Sequence, residues 1–184
     1  MSQAGYEYLL AYKITVPIFD LTVQFCDKFI SRFSRTGDQM TQAARSGMQN
    51  VAEGNKQQSL KTYIQLTGVS RGSLEELLND VLSYARQHGL TIWPRERAMG
   101  EIWEIGEIWN ILKATPTLPN SPNFPSLPND PERAVNLLGT LIHQANYLLD
   151  KLIVALKEKH QKEGGFSEKL LKSRLDYRQR NHLS

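Results

Sequence analysis

Apolar positions along the chain recur every three to four residues in four long stretches, the period of helices that bury one face. In the first, Ile18, Leu21, Phe25, Phe29 and Phe33 share a face, with Thr15 as candidate cap and Pro17 suited to the first turn. The second places Met40, Ala43, Ala44, Met48, Val51 and Ala52 on one face, with Asp38 as candidate cap. Gly54 then falls where a helix C-terminus favours a left-handed residue. The third opens at Ser59 and runs Leu60, Tyr63, Ile64, Thr67, Ser70, Leu74, Leu77, Val81 and Leu82 along one seam, until Gly89 stops it. Within it Gly68 and Gly72 share a face, and each interior glycine costs about 1 kcal/mol of helix propensity. Close approach by a neighbouring helix is the expected return. The fourth opens with Asp130 as cap and Pro131 as first residue. Its stripe is Leu138, Leu141, Ile142, Ala145, Leu148, Leu149, Leu152, Ile153 and Leu156, and Gly164 and Gly165 break it.

Between the third and fourth stretches lies a shorter amphipathic pattern that begins near Pro94. It uses Met99, Ile102, Trp103, Ile105, Trp109 and Leu112. Prolines then stand at every third residue: Pro116, Pro119, Pro122, Pro125, Pro128 and Pro131. Polyproline II has three residues per turn, so all six rings would lie along one edge. Such an edge can dock an aromatic groove or serve as a semi-rigid spacer along the body, and the spacer is the preferred reading. No strand alternation competes with these patterns. The expected fold is all-α: an antiparallel four-helix bundle over residues 1–164 with an extra short helix and a Pro-rich connection over 115–131. A basic C-terminal tail over 165–184 follows.

A chain of 184 residues suits one domain with an appendage. Charge changes the picture more than composition does. The tail holds Lys169, Lys172, Arg174, Arg178 and Arg180 against Glu168 and Asp176, which accounts for the whole formal net charge of +3. The rest of the chain is neutral, and a confined excess suits an acidic partner. A single cysteine, Cys26, excludes an internal disulfide and suggests a reducing compartment, with the thiol buried and inert. No apolar run is long enough to span a membrane, and the N-terminus lacks a basic region followed by an apolar core. A cytoplasmic location is expected.

Catalytic chemistry finds little support. His88, His143, His160 and His182 lie far apart, and no HExxH, CxxC or EF-hand spacing appears, so no metal or other cofactor is expected. The ExxH pair of di-iron bundles is missing, and "GNKQQS" lacks the spacing of a phosphate loop. Trp93, Trp103 and Trp109 suit a core better than base stacking. Asn50 and Glu53 form the most suggestive polar pair, expected to hydrogen-bond across helices where the second one ends.

"ARSGMQNVAEGNKQQSLKTYIQLTGVSRGSLEEL" resembles a bacterial four-helix-bundle family. Its members are encoded in intervening sequences of ribosomal RNA genes, and they include the accessory variability determinant of diversity-generating retroelements. Ser46, Asn50, Ala52, Glu53 and Gly54 match the first block of the family pattern, and Gly72, Ser73 and Glu76 the second. Gly47 and Val51 stand where the family usually has isoleucine, which would loosen packing there. The likeness covers roughly residues 5–90. The latter half resembles a subgroup with a C-terminal extension. The resemblance implies that the first block closes the second helix and Ser59 starts the third. It further implies a homopentameric, non-enzymatic scaffold that binds nucleic acid and a reverse transcriptase.

Two functions follow as expectations. The first is an oligomeric nucleic-acid-binding accessory protein, possible helper of a reverse transcriptase or another nucleic-acid enzyme. Its expected contacts are Lys169, Lys172, Arg174, Arg178 and Arg180, with Arg45 and Arg71 as weaker candidates on solvated or salt-bridged helix faces. The alternative is a protein-interaction scaffold that docks through the proline edge or the tail.

Overall fold

A computed structural model describes residues 5–114, 116–119 and 122–181. Among them the chain is all-α. After a 3-10 turn over Gly5–Tyr8 come α1 (Leu10–Lys13), α2 (Thr15–Phe29), α3 (Thr36–Asn55) and α4 (Leu60–Gln87). Then follow α5 (Arg95–Glu101), α6 (Trp103–Ala114), α7 (Pro131–Glu163) and α8 (Phe166–Asn181). No helix among the described residues is long and apolar enough to cross a membrane.

The ends of these helices follow local chemistry where cap residues have extended backbone. Ser59 accepts from the Thr62 N–H, and Asp130 accepts from the Arg133 N–H with Pro131 behind it. Gly89 and Gly164 carry the positive φ angles (65° and 73°) just beyond α4 and at the end of α7. Other expected caps are displaced. Thr15 lies inside a run that starts earlier: Ile14 is helical, and the Thr15 hydroxyl donates back to the Tyr12 carbonyl instead of capping. Asp38 sits in the first turn of a helix that begins at Thr36, where its charge complements the helix dipole. α2 ends at Phe29, which leaves Phe33 102% exposed in the following loop.

One continuous core joins the elements. It is built from Ile14, Ile18, Leu21 and Phe25, from Met40, Ala44 and Val51, from Leu74, Leu77 and Val81, and from α7 between Ala134 and Leu149. Ile102, Ile105, Ile108 and Leu112 complete it, all fully buried. The expected single short helix is therefore two. The backbone turns extended at Ile102, which drives that side chain into the core while Trp103 and Met99 face outward.

The glycines reverse an expectation. A Cβ at Gly68 or Gly72 would meet nothing within 4 Å, and both positions are exposed. The close approaches lie on α3 instead. A Cβ at Gly47 would fall 2.5 Å from Leu74 Cδ2, and one at Gly54 2.7 Å from the Tyr63 ring. Gly54 is thus an interior helical residue, not a left-handed terminus. Nor is packing at Gly47 loose, since Leu74 fills the place of the side chain. Replacing Gly72 with alanine should accordingly raise stability by about 0.5–1 kcal/mol. A lower melting temperature for Gly72→Ala would contradict the exposed placement.

Residues 116–119 and 122–128 have no regular secondary structure but lie against the body. Leu118 and Phe124 pack on the core, and Leu127 is buried. Both ends are held by lysines of the N-terminal helices. The Lys13 ammonium, itself buried, donates to the carbonyls of Leu112 and, at 3.3 Å, Pro116. Burial pushes its pKa below the ordinary lysine value. Lys28 donates to the Leu127 carbonyl at 2.8 Å, and the Gln24 side chain accepts from the Leu127 N–H at 2.8 Å.

Candidate nucleic-acid interface

α7 is 33 residues long, about 50 Å, and Gly164 and Gly165 separate it from α8. None of α8 from Phe166 to Arg180 is buried. At 3.6 residues per turn, Phe166, Leu170 and Tyr177 fall on one face. Lys169 and Arg180 flank that face on one side, and Arg174 and Arg178, one turn apart, on the other. Leu171 and Leu175 lie opposite. The tail is thus a helix with two apolar edges and cations between them.

The basic candidates differ in their freedom. Lys169 is held by Glu163 at 2.9 Å, and that bond holds the Glu163 carboxyl below the usual range. Lys172, Arg174, Arg178 and Arg180 are exposed and make no ion pair among the described residues. Arg71 pairs with Glu75 at 2.9 Å and with Asp150 at 3.2 Å, which ties α4 to α7. Arg45 is exposed on α3 without an ion pair among the described residues.

The motif residues gather along the seam of α3 and α4. The Ser46 and Ser73 hydroxyls are 2.9 Å apart, and Asn50 donates to the Ser46 hydroxyl at 3.0 Å and the Ser46 carbonyl at 2.8 Å. Beneath them the Ser70 hydroxyl donates to the Gly47 carbonyl at 2.5 Å. The bridge between helices therefore runs through the serines, and Asn50 braces it from its own helix. Glu53, Gly72 and Glu76 are exposed outside this network. These bonds fix the position of α3 against α4.

Cys26 is half-buried, and burial pushes its thiol above the ordinary range, which disfavours the reactive thiolate. No group of His, Cys, Asp and Glu able to hold a metal occurs among the described residues; His182 lies outside them.

Sequence periodicity missed one concave feature. A cleft of about 950 Å³ opens between α5, α6 and α7. Its walls include Gly106, Trp109, Asn110 and Lys113 on α6, and Thr140, His143, Gln144 and Tyr147 on α7. Each set repeats at i, i+3, i+4 and i+7, a second face beside the apolar one. The floor is fixed by Asn136, which accepts from the Trp93 N–H at 2.7 Å and donates to the Thr91 carbonyl at 2.8 Å. Trp93 is buried under Arg97, whose guanidinium lies 4.0 Å from the ring centroid. Trp109 is half-buried and donates to Gln144 at 2.7 Å.

The helices, the polar seam at the motif and the exposed basic helix at the C-terminal side define an all-α protein among the described residues. The chain belongs to the 23S rRNA-intervening sequence protein family, whose family model matches residues 7–110, more than half of its 184 residues. That match runs past the residues that carry the resemblance into α6, and it stops before the proline segment. No curated protein and no solved structure matches the chain.

Proposed function

We propose that this protein is a non-enzymatic accessory that binds nucleic acid through α8. The observation that carries the reading is the set of four exposed cations on that helix with no ion pair among the described residues, in a chain that is neutral outside its basic tail. Membership of a family named for a ribosomal RNA intervening sequence agrees with it. The body is a scaffold in this reading, an antiparallel bundle of α2, α3, α4 and α7. Its support, for α3, α4 and α7, is the order of contacts: Gly47 meets Leu74 where Gly54 meets Tyr63, and Glu75 meets Asn146 where Arg71 meets Asp150.

Assembly into a homopentamer, and service to a reverse transcriptase or another nucleic-acid enzyme, rest on the family resemblance. Five tails together would multiply the local charge and the avidity. The exposed apolar side chains of α8 favour a second reading, in which the same helix docks a protein.

Titration of labelled RNA and DNA at several salt concentrations tests the proposal. Affinity should fall steeply as salt rises, because phosphate contacts release counterions. Light scattering on the same samples should return five chain masses. Absence of binding at low salt rejects the nucleic-acid reading, and the mass of one chain rejects the assembly.

A further inference from the structure

The cleft between α5, α6 and α7 has a composition that the tail does not explain. It is lined by Arg95, Lys113 and His143 and by no acidic residue, although the chain as a whole holds 19 of them. Three aromatic residues line it: Trp93 is buried, Trp109 is half-buried and Tyr147 is 61% exposed. The two accessible rings each have a lysine over them at 5.5 Å from the centroid, Lys113 on Trp109 and Lys151 on Tyr147. The side-chain amide of Asn110, exposed on the same wall, offers a donor and an acceptor of the kind that bind base edges, while that of Gln144 is taken up by Trp109 and Met99. A volume of about 950 Å³ is at the upper end of ordinary ligand pockets.

We infer that this cleft seats unpaired nucleobases of a single-stranded nucleic acid. The deduction rests on the nucleic-acid reading for its class of partner and adds the form that is recognised. A base enters by stacking on Tyr147 and the open part of Trp109, and it displaces the flexible lysines from the ring faces. The released ammonium groups of Lys113 and Lys151, together with Arg95, then meet the phosphates on either side. Duplex nucleic acid hides its base faces and cannot use the rings. It binds only through backbone charge, and so mainly at α8. Charge complementarity sets this occupant above an apolar peptide, since Arg95 and Lys113 line the cleft and no acidic side chain does.

The test compares a labelled 12-nucleotide oligouridylate with a 12-base-pair mixed-sequence RNA duplex on the full chain and on two variants, Tyr147→Ala and Lys113→Gln. Both side chains are exposed, so the fold tolerates the changes, and thermal melting checks this. Single-strand affinity should fall about 5- to 100-fold with Tyr147→Ala while duplex affinity holds. Lys113→Gln should lower single-strand affinity and its salt slope. If the native chain binds both probes and neither variant alters single-strand affinity, the cleft assignment is overturned and α8 remains the interface. If the native chain binds neither probe at low salt, the nucleic-acid reading itself fails. Variants that change the scattering mass and leave binding untouched overturn the inference in favour of a surface between copies of this chain.

Discussion

Replacing Gly47 with isoleucine, the residue usual in the resembling family, should lower stability by about 3 kcal/mol, the upper part of the usual overpacking range. The helical backbone at this position accepts any side chain. The obstacle is Leu74, fully buried, with two of its carbons within 2.8 Å of the place where a Cβ would stand. A branched residue brings two more carbons into the same space. Either Leu74 leaves its rotamer or α3 and α4 move apart, and separation would stretch the Ser70 to Gly47 and Ser46 to Ser73 bonds. For a chain of this length the loss corresponds to a drop of roughly 6–12 °C in melting temperature. Leu74→Ala in the same chain should recover part of it, since residues in contact couple by about 0.5–3 kcal/mol. Additive losses in the double variant would mean that the two side chains do not share that space.

Changing Lys172, Arg174, Arg178 and Arg180 together to glutamine should lower affinity for any nucleic-acid sequence by about one to two orders of magnitude near 0.1 M salt. Each phosphate contact removed should cut the salt slope by roughly 0.7–0.9, so the variant should show a slope flatter by about 3 for each engaged helix. Lys169→Gln alone should do less than Arg174→Gln alone, because Lys169 is already bonded to Glu163. None of the four supports the core, and the melting temperature should be unchanged. Native affinity in the quadruple variant would move the interface away from α8.

Helix boundaries were legible in the sequence where one residue decides them. Asp130 with Pro131, Ser59, Gly89 and Gly164 act through their own backbone preferences, so their neighbours in sequence suffice. Features that depend on a distant partner were not. The spacing of Gly68 and Gly72 equals that of a close helix contact, yet only the phase of α4 against α3 decides which glycines meet anything. Ile102 looks like any member of an apolar stripe, and nothing beside it in sequence marks the extended backbone that turns it into the core. Of the site, the separate charge of the tail could be read directly, while the partners of Arg71 and Lys169 could not. The cleft escaped because Thr140, His143 and Tyr147 resemble an ordinary solvated face until α6 is laid beside them.

Lys13 and Lys28 take acceptors 99 residues further along the chain, at Leu112 and Leu127. At a synthesis rate of about 5–20 residues per second, roughly 5–20 s separate the making of each lysine from the making of its carbonyl. Until those carbonyls are made, neither lysine can form these bonds. Anchoring of the proline segment at its two ends is therefore a late event of biogenesis, and a chain halted before Leu112 can make neither tie.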